Sequence, residues 1–201
     1  IMPGESADRF MQKWLKEFEI GKMINIKPLD GEGYYVKVDT GDDDVHLADM
    51  GMGSIQLIIL LMRLATIGHR SVSTLQPCWI FIEEPEQNLH PLLQSKLADL
   101  FEDFTQTFCD PYMHTIFVET HSEYLIRRTQ LRAAEIVEEY GEDIMNEMIP
   151  FRVFYFPTEY GKQPYDMQYL PNGMFANKFD SGFFDEAGRM HMEILKKSKK
   201  R

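Results

Sequence analysis

Two adjacent carboxylates, Glu83 and Glu84, end an apolar run in "FIEEPEQNLHP", and a proline follows them directly. Burying one carboxylate is costly and two neighbours repel each other, so a compensating partner is expected. A carboxylate at the exit of a buried strand can hold magnesium beside nucleotide phosphates. A second carboxylate one residue on can orient and deprotonate an attacking water. Adjacent residues at a strand exit point in different directions, so one turn can serve both roles. Taken alone, the pair also fits two surface carboxylates at the start of a loop.

Two further groups bear on that choice. Thr120-His121-Ser122 closes the next apolar run, "HTIFVET", where His121 could donate a hydrogen bond to a terminal phosphate. "ADMGMGSIQ" places Gly51 and Gly53 just before a helical pattern. Glycines there let backbone N–H groups approach an anion, and a helix N-terminus favours negative charge. Each group has a plain structural alternative: a histidine that only packs, a tight turn with no ligand. Their order along the chain carries the argument.

The elements that must position these groups follow from periodicity. Phe10, Trp14 and Phe18 recur at helical spacing, with Leu15 beside them, and predict an amphipathic helix from Ala7 to about Ile26. "GEGYYVKV" is strand-like, "DTGDDD" an acidic turn, and together they predict a hairpin. Asp42 to Asp44 lack the spaced carboxylates and closing glutamate of a calcium loop, so a solvent-facing turn is expected. "GMGSIQLIILLMRLATIG" predicts a helix apolar nearly all round and therefore buried. "PCWIFIEEP" and "HTIFVET" read as buried, parallel strands, each followed by a helix. Leu93, Leu97, Leu100, Phe101 and Phe104 line one face of the first helix, and Gly141 stops the second. Strand and helix in alternation predict an α/β fold with a mainly parallel sheet and flanking helices. Ligands in such sheets sit beyond the carboxyl ends of the strands, where Glu83-Glu84 and Thr120-His121 both lie. From Pro150 short strands and an Asn-Gly turn predict a small β-rich appendage, closed by a helix that Asp185 could cap.

The bulk properties set limits. The chain has 201 residues, 44% of them hydrophobic, enough for one domain and an appendage. A net charge of -11 argues against a surface given over to nucleic acid, despite the basic tail "KKSKKR". No uninterrupted apolar run reaches the roughly 18 residues that span a bilayer. "IMPGESADRF" lacks a basic segment followed by an apolar core. Cys78 and Cys109 lie in apolar contexts and read as reduced core thiols. A cytoplasmic protein without membrane partners is the expectation.

Glycine-bearing turn, apolar strand ending in two acids and proline, "NLHP", and a strand ending Thr-His-Ser occur here in one order. That order resembles the ATP-binding-cassette type of P-loop ATPase. "IEEPEQNLHP" and "ETHSEYLIRR" are most similar to its bacterial AAA-like branch, which also holds the overcoming-lysogenization-defect and SMC-like ATPases. The likeness covers roughly residues 45–184, and "NG" followed by "SGFFDEAG" resembles a C-terminal module of some members. The resemblance implies that Glu83 is the Walker B acid that holds Mg2+, Glu84 the catalytic base and His121 the switch histidine. It implies that Glu86 to His90, with Asn88 and His90, form the D-loop facing an opposing subunit. Gly51, Gly53, Ser54 and Gln56 would be a signature that touches the γ-phosphate of ATP bound to the partner. That signature departs from Leu-Ser-Gly-Gly-Gln, and its backbone amides are the part that still serves.

No Gly-x-x-x-x-Gly-Lys-Ser/Thr occurs in the sequence, which opens at Ile1. The resemblance therefore implies a partial P-loop fold without the Walker A strand, loop and helix, the C-terminal half of a larger ATPase. Three regions are expected: residues 1–44 from an N-terminal lobe, 45–149 as the ATPase half, and 150–201 as the appendage. The intact protein would bind and hydrolyse ATP as a head-to-tail homodimer, and this part alone would be inactive. A nucleotide-independent interaction or regulatory module derived from such an ATPase is the alternative, and a nuclease-associated ATPase the third. Nucleic acid or a defence effector stays open as partner, as does the pathway.

Overall fold

The computed structural model describes residues 3–29, 31, 33–74, 78–108 and 114–198. Cys109 lies outside the described residues. The chain forms two compact units, Ile1–Leu125 and Ile126–Arg201.

The first unit opens with α1 (Pro3–Glu17). Its stripe is core as the spacing requires: Phe10, Trp14, Leu15 and Phe18 are each 3% exposed or less. The helix ends nine residues earlier than the periodicity predicts. Ile20 N–H donates to Leu15 O at 2.9 Å, and Glu19 adopts φ 57, which closes the last turn. Gly21 then passes so near Asp39 that a Cβ would sit 2.6 Å from its carbonyl oxygen. The chain thus turns back as β1 (Met23–Leu29) along β2 (Gly33–Asp39). Ile20, Ile24 and Ile26 satisfy helical and strand spacing alike, which is why the sequence reading runs the helix on to Ile26. β3 (Asp44–His46) completes an antiparallel sheet in the order β1-β2-β3, with Val38 opposite Val45 and fully buried. Residues 42–44 are exposed, and a short 3-10 turn, Leu47–Asp49, leads on.

α2 (Met52–Thr74) packs against α1 and against α3 (Pro91–Phe108). Leu57, Ile58, Leu61, Leu64 and Ala65 form its buried seam, whereas Ile59 is 52% exposed. The expectation of a wholly buried helix therefore holds for one side only. By length and composition Met52–Ser71 is also apolar enough to cross a membrane, with about a third of it buried in the structure. The sequence reading counts only uninterrupted apolar residues and so passes over this; the buried seam accounts for part of the apolar composition. Phe10 meets Phe104 and Phe108 at 6.0 and 5.2 Å between ring centroids, and Trp14 Nε1 donates to Asp103 at 2.7 Å.

β4 (Cys78–Glu83) and β5 (His114–Glu119) pair in parallel, with Glu83 opposite Glu119. The prediction of a mainly parallel sheet is corrected here. Among the described residues this parallel sheet has two strands, and the other two sheets are antiparallel. One face of β4 and β5 carries Ile80 and His114, both buried. The opposite face is open: Trp79 and Phe81 are 71% and 70% exposed, and the Phe81 and Phe117 rings stack at 4.8 Å. Parallel sheets ordinarily have both faces covered. Cys78 is half-buried rather than core.

α4 (Glu123–Tyr140) begins in the first unit and continues into the second. Gly141, at φ 91, ends it by donating its N–H to Val137 O, as its place in the sequence predicts. A 3-10 turn, α5 (Met145–Met148), and the two-residue strands β6 (Phe154–Tyr155) and β7 (Tyr165–Asp166) follow. The core of this unit is aromatic: Tyr155 meets Tyr165, Phe179 and Phe183 at 5.2 to 5.6 Å. Gly173 takes the left-handed position of the Asn-Gly turn, at φ 77. α6 (Glu186–Ser198) follows Asp185, whose carbonyl accepts the Arg189 N–H at 2.9 Å as the helix cap, while its carboxylate accepts the Gly182 N–H at 2.6 Å, upstream of the helix.

Candidate functional site

The exits of β4 and β5 lie side by side because the two strands are in register to their last residues. Glu83 pairs with Glu119, and the Glu84 N–H donates to Glu119 O at 2.9 Å. Period-2 alternation puts both Glu83 and Glu119 on the open face, with Phe81 and Phe117 below them. Glu84 leaves the strand at φ 44, a left-handed conformation that side chains rarely adopt. That bend starts a turn in which Gln87 N–H donates to Glu84 O and Leu89 N–H to Glu86 O, both at 3.1 Å. Asn88 takes a second left-handed position, φ 58. Two such residues within five mark a backbone held for a reason other than its own energy.

Glu84 and His121 meet across the strand exits. His121 Nε2 lies 3.7 Å from Glu84 Oε1, and the Gln87 side-chain amide donates to Glu84 Oε2. Both side chains reach water, at 38% and 67% exposure, so a solute can approach them. Gln56, Glu83, Glu84, Gln87 and Glu119 line a cavity of about 430 Å³ at this rim. Three carboxylates and two amides give it a negative character, with no lysine or arginine in the lining among the described residues.

The turn also meets the start of α2. A Cβ on Gly53 would sit 2.5 Å from Asn88 O, so only glycine permits that approach. Gln56 Oε1 accepts from Asn88 Nδ2 at 3.0 Å, which brings Gln56 to the acidic rim of its own chain. Gly51 has open space around it, and its carbonyl receives the Ile55 N–H, which makes it the helix cap. Ser54 is half-buried two residues before Gln56. His90 caps α3: its Nδ1 accepts the Leu92 N–H at 3.3 Å and its carbonyl the Leu93 N–H at 2.8 Å. Its ring is thus tied to that helix.

Glu83, Glu84, His121, Gln56 and Asn88 therefore gather at one rim, while His90 and Gly51 serve helix starts. Sequence reasoning passed over Glu119 and took Gln87 only as part of the Glu86 to His90 stretch. Glu119 could have been found from alternation, since Phe117 and Glu119 repeat the pattern of Phe81 and Glu83. Among the described residues no group of three or more histidine, cysteine or acidic side chains forms a ready metal cage. Glu83 and Glu119 do offer hard oxygen ligands side by side, and Mg2+ commonly takes one or two carboxylates and completes its shell with water and phosphate.

The family model described as "AAA ATPase domain" matches residues 5–126. A solved structure from work on "ATP-driven dimerization and DNA stimulated activation of SMC ATPases" superposes with a TM-score of 0.53 at 12% identity, covering 96% of this chain and 92% of that one. A second, an SmcHead bound to the C-winged helix domain of ScpA, has a TM-score of 0.45 at 15% identity, covering 62% of this chain and 36% of that one. No curated protein matches the chain.

Proposed function

From a chain that belongs to the AAA ATPase domain family, we propose that the rim of β4 and β5 is the water- and metal-facing half of an ATP-hydrolysing site. Glu84 is the general base: its carboxylate is open to water and oriented by the Gln87 amide. His121, 3.7 Å away, is the group that reads the terminal phosphate. Glu83 and Glu119 hold Mg2+, which when bound supplies positive charge for the phosphate oxygens. The observation that carries this reading is the convergence of Glu84 and His121 at the carboxyl ends of two parallel strands.

The pocket's charge sets what else the site needs. A polyphosphate brought to three carboxylates is repelled unless cations come with it. We assign those cations to Mg2+ and to a phosphate-binding loop with its lysine, supplied by a polypeptide segment outside these 201 residues. Gly51, Gly53 and Ser54, at the start of α2, face a second nucleotide-bound copy in a head-to-tail dimer, whereas Gln56 stands at the rim of its own chain. The ATP-driven dimerization described for the similar SMC ATPase structure supports that arrangement by analogy of fold.

The test is hydrolysis by the ATPase that carries both the phosphate loop and this chain. Glu84→Gln should hold ATP with Mg2+ and lower turnover by about 10²-fold or more. Unchanged turnover removes the assignment of the base. This chain by itself should bind ATP weakly or not at all in a direct titration.

A further inference from the structure

We propose that Glu86 is a positioning residue, whose carboxylate ties the turn after β4 to the loop carrying His121 and so keeps the imidazole beside Glu84. The inference rests on the reading of Glu84 and His121 given above. Glu86 is 9% exposed, yet it carries a carboxyl group, two residues past the base and outside the lining of the pocket. Its Oε1 accepts the His121 backbone N–H at 2.7 Å, a contact across 35 residues of sequence. Among the described residues its Oε2 is buried with no hydrogen-bond partner. A carboxylate left half-satisfied out of water weakens a fold, and packing alone would be better served by an apolar side chain. The one hydrogen bond that the Glu86 side chain makes among the described residues is therefore what it contributes.

The loop is fastened a second time, on the other side of His121. Ser122 Oγ donates to Gln94 Oε1 at 2.6 Å, and Gln94 Nε2 donates to Leu89 O at 2.9 Å, in the turn that holds Glu86. Ser122 Oγ also accepts the Leu125 N–H at 3.2 Å, which caps α4. The His121 ring itself is two-thirds exposed, and Glu84 is its partner at 3.7 Å. With so little holding the ring, its place is set by where its backbone is held. Glu84 is fixed independently, through its N–H to Glu119 O. Glu86 thus registers the two halves of the pair against each other.

Amide hydrogen exchange on this chain and steady-state kinetics on the full ATPase test the assignment. In Glu86→Ala the His121 N–H should exchange about tenfold faster or more, the yield of one lost buried hydrogen bond, while the Glu84 N–H is unchanged. Turnover should fall about tenfold, with KM for ATP within about twofold, because misplacement affects the chemical step more than binding. Glu86→Gln keeps an acceptor oxygen and should restore most of both, and it decides the matter if the alanine variant fails to fold. Unchanged His121 exchange in Glu86→Ala overturns the proposal. So does Glu86→Gln losing His121 protection while it melts like the wild type. Glu84→Gln run alongside separates the two readings: full turnover there removes the base, whereas the exchange result bears on Glu86 alone.

Discussion

Backbone strain at Glu84 leads to a stability order that is the reverse of the usual one. In most settings glycine is less stable than alanine by about 0.5–1 kcal/mol, because it loses more freedom on folding. At φ 44 a side chain costs about 1–2 kcal/mol that glycine avoids. The difference favours glycine by about 0.5–1 kcal/mol. Glu84→Ala and Glu84→Gly both remove the carboxylate, the contact to His121 and the bond from Gln87, so comparing them isolates the backbone. For a chain of this length that free energy moves the melting temperature by about 1–4 °C. Thermal unfolding followed by circular dichroism should therefore place Glu84→Gly above Glu84→Ala, and neither substitution should support hydrolysis when made in the full ATPase. An alanine variant as stable as the glycine variant, or more so, would refute the claim that the turn is strained. The agreement of both measurements would mark Glu84 as a residue kept for its chemistry against the preference of its own backbone.

Other outcomes follow from close contacts and burial. Gly53→Ala forces a Cβ to within 2.5 Å of Asn88 O, and Asn88 is itself held at φ 58. Overpacking of about 1–3 kcal/mol, offset by about 1 kcal/mol of helix preference, leaves the variant less stable by about 1 kcal/mol in urea titration. Gly51→Ser meets no neighbour and gains a capping hydroxyl, so it should be neutral or slightly stabilising in the same assay. In the second unit, burial pushes the Tyr169 phenol up to about 12, although its hydrogen bond to Thr129 acts in the opposite direction. Below pH 10 that phenol is neutral whether the chain is folded or not. Between pH 10 and 12 the unfolded chain gives up the proton first, so stability falls with pH, by about 2 kcal/mol in all. Tyr169→Phe should flatten that part of the alkaline profile.

What could be read from the sequence was whatever depends on local spacing. The stripe of Phe10, Trp14 and Phe18, the two apolar runs that end in polar groups, and the stop at Gly141 all follow from periodicity and turn chemistry. The turn back at Glu19 was hidden because Ile20, Ile24 and Ile26 suit either period, and only the approach of Gly21 to Asp39 decides between them. The size of the parallel sheet was over-read, since buried strands say how they pack and nothing about how many neighbours they have. At the site, the acids and the histidine were visible as residues ending runs. Glu119 became apparent only through register, and Glu86 through a bond that crosses 35 positions. Sequence spacing carries no trace of such a contact.

The open face of β4 and β5 has an optical consequence. The chain has two tryptophans, and they occupy opposite environments: Trp14 is 3% exposed and Trp79 is 71% exposed. Iodide should quench the emission of the second and spare the first. Anything that settles over Trp79, Phe81 and Phe117 must shift one indole to the blue and shield it, while the other keeps reporting that the first unit is intact. The molecule thus carries its own fluorescent gauge of whether that sheet is covered.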